Sequence, residues 1–489
     1  MQRSRLSNNI FFMTTIIILI VVISVVLLKE ENSESASKDK PNIVIISVDA
    51  LAANHLGVYG GDTSISPNID KLAKSSVVFE KAYTTVPWTN GSYASLFTGN
   101  YFNKFFTGEK IDKDITTLAE VMKDSGYKTG GFYSTPNLRD SMNGLGKGFE
   151  TYIEGEDKKI IDANLDTESL TSKNMRDLNT KNNSIQWIKE NKNNRFFMFT
   201  HLFAPHMPYN APKEFANNNT PNSEIDLSRI DKLLKDNNTP DLNSLNLNPD
   251  EINYLKAKYD EEIRFADYCI GQIISEIKNQ KIDDHTIIII TADHGESFDH
   301  NYLHHTQRLY ESSIKVPLIY FDPRYSNKPK IQTPVSLIDI FPTLTNRVGI
   351  NNSFQVDGQS ILSELDGNPI KRQAIFSMSM PPYLFEGKEK NIDYMKKSKY
   401  IGQQFAAMNK NYKYILNTNN GSKEIYQTTE DPLELNNLFL DPNYKDELDN
   451  NDLQTRLILW IEKNTTNANN NVKLKNEELY NTMKSLGYL

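Results

Sequence analysis

Cysteine is almost missing from this chain: Cys269 is the single one in 489 residues. That excludes a disulfide scaffold and any multi-cysteine zinc or iron–sulfur site. A basic block is missing too. Lys plus Arg number 54 against 62 Asp plus Glu, a net charge of −8. A mildly acidic chain with no basic face is a poor match to nucleic acid, so no nucleic-acid partner is expected. Internal repeats are absent as well. What remains is ordinary globular material: 38% hydrophobic and 10% aromatic residues supply a large core and exclude wholesale disorder.

Long apolar runs are scarce, with one exception that the mean hydropathy of −0.54 conceals. Ile10 to Leu28 is uncharged, lacks Pro and Gly, and is interrupted only by Thr14, Thr15 and Ser24. It is long enough to span a bilayer as one helix. A cleaved signal peptide has a shorter apolar region and a small-residue cleavage site, whereas this run ends in Leu-Leu-Lys-Glu-Glu. Arg3 and Arg5 precede it and acidic residues follow. The positive-inside rule then places the N-terminus in the cytoplasm and the body outside. The expected organisation is a cytoplasmic stretch 1–9, a transmembrane anchor 10–28 and a tether 29–40. A catalytic domain 41–370 and a C-terminal subdomain 371–489 follow. The expected localisation is a cell membrane, single-pass, with an extracytoplasmic body.

Within the body, Asn42–Val48 is a continuous apolar run, the pattern of a strand buried on both faces. Similar runs recur at Phe196–His201, Thr286–Thr291 and Val316–Tyr320. Helical periodicity appears between them, at Leu118, Val121 and Met122, and over Leu255 to Ile277. This alternation predicts an α/β fold with a mainly parallel sheet flanked by helices. Cys269 falls on the apolar stripe of the long helix and reads as a core residue. Residues 209–250, rich in Asn, Asp, Ser and Pro, read as a surface excursion. Beyond about 370, short alternating strands such as Tyr412–Leu416 and Glu424–Tyr426 predict a smaller antiparallel unit, then a helix ending at Leu489.

Ligands in open α/β sheets bind beyond the carboxyl ends of the strands. The first run ends in Asp49, and the third runs into Asp293-His294-Gly295-Glu296. One Asp after a strand is usually a helix cap. Two strands delivering Asp, Asp and His to one edge instead suit Zn²⁺, Mn²⁺, Mg²⁺ or Ca²⁺. Four of the eight histidines, His294, His300, His304 and His305, lie within twelve residues, and His201 and His206 flank another strand end. Thr89 precedes a small-residue helical stretch. It reads either as an N-cap or as a hydroxyl that a metal could activate.

Several stretches carry a resemblance, each weak alone and specific as an ordered set. They are Pro41–Asp49, His55–Gly60, Ser66–Leu72, Ala94–Gly99, Ala204–Tyr209, Thr291–Glu296 and Leu309–Pro317. Asp357–Ser360, Asp431–Asn437 and Ser485–Leu489 complete the series. The chain resembles the sulfatase family of the alkaline phosphatase superfamily. The resemblance implies that family's fold, an ester-hydrolase or phosphotransferase activity and one divalent metal ion (Mn, Zn, Ca or Mg). Departures matter more. The family's formylglycine precursor, Cys or Ser followed by x-Pro-x-Arg, is replaced by Thr89, with Gly91 and Tyr93 at the Pro and Arg positions. The expected Asp pair after the first strand is Asp49-Ala50.

Thr89 in that place resembles the phosphoryl-acting branch of the superfamily. By that resemblance Thr89 is the metal-activated nucleophile, and Asp49, Thr89, Asp293 and His294 form the metal site. His206 and His305 act on the substrate oxygens or the leaving group. His201 is either a further substrate contact or a satisfied core histidine, and Glu296 supports the site without ligating. The leading expectation is therefore a membrane-anchored enzyme acting on phosphate esters or diesters, lipid- or glycan-linked, outside the membrane. Its alternatives are a sulfuric ester hydrolase without formylglycine and an envelope-glycan-binding pseudoenzyme.

Overall fold

A computed structural model describes residues 40–104, 110–159, 162–216 except 163 and 167, 247–300, 302–325, 330–350, 354–379, 403–418, 420–444 and 452–465. The anticipated anchor at 10–28, most of the 209–250 excursion and the chain end lie outside these residues. Among the described residues no helix is long and apolar enough to cross a membrane.

The strands, in chain order, begin with β1 (Asn42–Val48), β2 (Val77–Val78), β3 (Ala82–Tyr83), β4 (Lys128–Tyr133), β5 (Thr151–Glu154) and β6 (Phe196–Leu202). They continue with β7 (Thr286–Ala292), β8 (Ser297–Asp299), β9 (Tyr302–His304), β10 (Lys315–Val316), β11 (Leu318–Phe321) and β12 (Val335–Ser336). The last four are β13 (Ile375–Met378), β14 (Gln404–Met408), β15 (Tyr412–Asn417) and β16 (Lys423–Gln427).

The main sheet runs β2-β11-β7-β1-β6-β4-β5. Its central strands β7, β1 and β6 are parallel, and every residue in them is buried. Such strands need cover on both faces, and their Ile-, Val- and Phe-rich sequences supply apolar surface to both. One helix group packs Ser172–Asn191 on Pro249–Asn279, with Pro67–Ala73 beside it. A second joins Thr89–Thr98, Leu118–Asp124 and Ile340–Arg347. The long helix starts sharply after the polar excursion. The Asn248 side chain accepts from the Glu251 amide at 2.9 Å, and Glu251 reaches back to the Asn248 amide at 2.9 Å. Cys269 is buried in it, as read from the sequence.

The fourth apolar run behaves differently from expectation. Pro317 has no amide hydrogen to give to a ladder, and the chain changes sheets there. β10 pairs antiparallel with β3, while β11 pairs antiparallel with β7 and forms part of the sheet's one antiparallel flank.

The expected antiparallel C-terminal unit is β13-β14-β15-β16. Helix Leu453–Thr465 packs on it, Trp460 stacking on Phe376 at 5.2 Å and meeting Tyr101 edge-on at 4.8 Å. A largely buried ion cluster welds the small sheet to the segment after β9. Lys413 Nζ lies 3.0 Å from Glu311 and 2.6 Å from Glu434. Burial pushes the Glu434 carboxyl up to about 7, Lys413 opposing the shift. Lys413→Met should therefore destabilise the protein by about 3 kcal/mol, since it strands the buried Glu434 carboxylate. Urea unfolding would measure this, and an unchanged midpoint would refute it.

Candidate active site

The parallel register decides which side chains meet. Val48 of β1 pairs with Ala292 of β7, so Asp49 and Asp293 leave the sheet side by side. Ser47 pairs with His201 of β6, which brings that imidazole to the same edge. Two backbone amides, those of Ala50 at 3.1 Å and His294 at 2.9 Å, fasten Asp293 Oδ1 and leave Oδ2 without a hydrogen bond. Ala50 sits at φ 55°, and Tyr259 secures this turn by donating to Ala50 O at 2.6 Å and accepting from Ala52 N at 2.9 Å. Gly295 follows because a Cβ there would stand 2.0 Å from the Ser312 carbonyl oxygen.

Thr89 is the first residue of helix Thr89–Thr98. The N-cap is Trp88, so the N-cap reading of Thr89 is set aside and its hydroxyl is free for other work. Thr89 Oγ1 lies 3.5 Å from His294 Nε2. His294 Nδ1 faces the Gly295 carbonyl at 2.9 Å. A carbonyl can only accept, so Nδ1 carries the proton and Nε2 presents a lone pair. That lone pair faces Asp293 Oδ2 at 3.4 Å and Asp49 Oδ1 at 3.7 Å. His201 Nε2 is 3.3 Å from Asp49 Oδ2, and neither His201 nitrogen has a hydrogen-bond partner. The satisfied-core reading of His201 is thereby corrected.

Electron-rich atoms thus converge at 3.3–3.7 Å inside a buried site. Burial, together with the neighbouring carboxylates of Asp293 and Glu296, raises the Asp49 pKa well above the carboxylate range. Burial likewise raises Asp293, against His294 and the two amides. His201 is pushed down to about 3 by burial. A divalent cation answers all of these at once, because it turns mutual repulsion among lone pairs into coordination. Asp49, His201 and Asp293 can offer atoms to one ion, with His294 Nε2 and Thr89 Oγ1 adjoining. The residues fit a metal, and His201 joins the expected set.

The second histidine group stands beside the first. The His305 ring stacks on His294 at 4.0 Å, and His206 meets His305 at 5.1 Å. His206 Nδ1 faces the Met207 carbonyl at 2.7 Å, so its Nε2 is the free lone pair. Burial lowers His206 to about 3 and, with His294 and His304 nearby, takes His305 well below its ordinary value. His305 Nδ1 lies 3.1 Å from Glu296 Oε1, and Tyr209 OH donates to Glu296 Oε2 at 3.3 Å.

Sequence reasoning missed the residues that brace this site. Lys173 donates to the His206 and Pro208 carbonyls at 2.8 Å and pairs with Glu262 at 2.9 Å. Asp177 accepts from the Phe203 and Ala204 amides at 2.6 and 3.0 Å. Both lie on helix Ser172–Asn191, which is polar along most of its length, so residue type did not single them out. Tyr93, where the family's motif places Arg, turns into the core. Its hydroxyl donates to Ser47 at 2.9 Å and its ring meets His201 edge-on at 5.4 Å. His55 pairs with Asp260 at 2.6 Å, and exposed His285 pairs with Asp284 at 2.6 Å, so both are engaged outside this group. His300 anchors the loop, stacking on Tyr310 at 3.7 Å.

Known proteins share this sequence pattern and fold. A family model described as Sulfatase matches residues 41–350, and one described as N-sulphoglucosamine sulphohydrolase, C-terminal, matches residues 299–462. An arylsulfatase of Clostridium perfringens is 26% identical over 467 residues, covering 84% of this chain and 92% of its own. Among solved structures, a 2-O GAG sulfatase superposes with a TM-score of 0.67 at 19% identity, over 87% of this chain and 93% of that one. The phosphonate monoester hydrolase of Agrobacterium radiobacter does so with 0.65 at 20% identity, over 87% and 95%.

Proposed function

The chain belongs to the sulfatase family, and on that premise we propose that it hydrolyses a sulfuric ester borne by a glycan, with unmodified Thr89 as nucleophile. The sulfate-ester class rests on the relatives, most of whose names are those of sulfatases. It takes precedence over the phosphate-ester reading that Thr89 alone suggests. One observation carries the mechanism: Thr89 Oγ1, relieved of capping, faces His294 Nε2 beside the buried group of Asp49, His201 and Asp293.

A divalent cation held by those residues would lower the pKa of an adjacent hydroxyl and withdraw charge from the ester. The chain's own groups do the remainder. Helix Thr89–Thr98 turns the positive end of its dipole toward the incoming anion. His206 offers Nε2, and His305 lies between His206 and His294. Burial keeps both imidazoles neutral in the resting site. An anionic ester seated against His206 reverses that shift and makes it a donor to the leaving group, while neutral His305 offers a ring N–H to the ester oxygens.

A second reading is favoured by Thr89 itself. Threonine cannot yield the aldehyde that the family's Cys or Ser yields, and a threonine ester of phosphate is a chemically competent intermediate. Phosphate or phosphonate esters are therefore the runner-up substrates. We further propose that residues 10–28 anchor the enzyme with its body outside the membrane, on the strength of the uncharged run and the flanking charges.

The deciding experiment assays the full chain in detergent, loaded with Mn²⁺, Zn²⁺ or Ca²⁺. The substrates are aryl sulfate, aryl phosphate, bis-aryl phosphate and aryl phosphonate. Aryl sulfate turnover that disappears in Thr89→Ala is expected. Turnover of phosphorus esters alone would move the assignment to the second reading. No turnover and no retained metal would leave a glycan-binding pseudoenzyme.

A further inference from the structure

The β8–β9 hairpin carries a cluster at its base, where Glu296 precedes β8, His304 closes β9 and His305 follows it. Glu296, His304 and His305 can direct one ligand atom each to a common point. We propose that they form a second divalent-cation site, with the imidazole–carboxylate chemistry of zinc, adjoining the first. The assignment rests on these three side chains and holds whichever ester is cleaved. It departs from the single metal that the sequence implied.

Distance is the first argument. Glu296 Oε1 lies 3.1 Å from His305 Nδ1 and 3.5 Å from His304 Nδ1. Ligand atoms roughly 2.0–2.1 Å from a tetrahedral ion are about 3.4 Å apart. Pairing within the cluster is the second. A proton on His305 Nδ1 would satisfy one contact with Glu296. His304 Nδ1 is buried, approaches the same oxygen and makes no hydrogen bond. The carboxylate is already oriented, because Tyr209 holds its other oxygen at 3.3 Å. A metal-binding carboxylate commonly has such a partner.

Backbone geometry is the third argument. Successive side chains of an extended strand point to opposite faces. His304 closes β9, yet its ring and that of His305 are 3.9 Å apart and reach one carboxylate. The backbone achieves this with φ 109° at His304, a conformation that side-chain-bearing residues rarely adopt. The His304 side chain is 40% exposed. That exposure also leaves the cation an open position for water or a substrate oxygen. His206, with its ring 6.3 Å from that of His304, is the next imidazole in reach.

The test is zinc stoichiometry of the full chain, stripped with chelator, reloaded with Zn²⁺ alone, desalted and measured by elemental mass spectrometry. Two ions per chain are expected in the parent. His304→Ala and Asp293→Asn should each retain one, and the double variant none. Exposed His285→Ala should retain two, which excludes casual surface binding. Glu296→Gln, a near-isosteric change, should also retain one and guards against a fold defect in His304→Ala. One ion in the parent, kept in His304→Ala and lost in Asp293→Asn, would overturn the second site and leave the proposed function intact. One ion lost in His304→Ala and kept in Asp293→Asn would support this site and remove the metal from the first.

Discussion

Thr89→Ala is expected to lower kcat/KM by at least about 10³-fold on whichever ester the enzyme turns over, because it removes the hydroxyl proposed as the nucleophile. Metal content should stay within error of the parent, since Asp49, His201 and Asp293 remain. Thr89→Ser keeps a hydroxyl at the same helix position and should recover a measurable part of the activity. Acid quench during turnover should trap one ester group on the peptide containing Thr89. The exact mass of that adduct tells sulfuryl from phosphoryl. An alanine variant with parental turnover would mean that water, not Thr89, attacks.

Asp293→Asn should be comparably damaging, for a different reason. It removes a carboxylate whose Oδ1 is held by two amides and whose Oδ2 is left for a cation. A loss of about 10³-fold in activity is expected, accompanied by loss of the first-site metal. Stability should move the other way in chelated protein. Asp49 and Asp293 are both buried, and their pKa values are raised chiefly by burial. A carboxyl with a raised folded pKa penalises the fold above that pKa, and the penalty fades as pH falls toward the unfolded value. Metal-free Asp49→Asn or Asp293→Asn should therefore melt higher than metal-free parent at neutral pH, with the gap shrinking toward pH 4. In metal-loaded samples the order should reverse. A chelated parent that melts above both variants at neutral pH would show that the repulsion is relieved by something other than a cation.

Much of this was legible in one dimension. β1, β6 and β7 announce themselves as uninterrupted apolar runs, and each hands its next polar residue to the sheet edge. That is why Asp49, Asp293 and His294 could be named before any coordinates. The Val316–Tyr320 run was harder, because a count of apolar residues does not see the missing amide of Pro317. His201 was ambiguous because its role depends on a neighbour in another strand, Asp49, 152 positions away in the chain. Tyr93 looked like the loss of a functional Arg. It is a core residue behind His201, a distinction of direction that composition cannot carry.

The linear pattern was sufficient for the α/β architecture, the family, the carboxylates at the strand ends and the threonine in place of a formylglycine precursor. These follow from residue type and local spacing, which buried strands and helix starts constrain strongly. It was insufficient for anything that depends on who faces whom. Whether Thr89 caps a helix or confronts His294, whether His201 is satisfied, and whether His304 and His305 share Glu296 are questions of angle and of strand register. Side-chain direction is set by backbone torsions such as that at His304 and by packing between distant segments. Those are properties of the folded chain, and they turned a row of histidines into two adjoining groups of metal-ligand geometry.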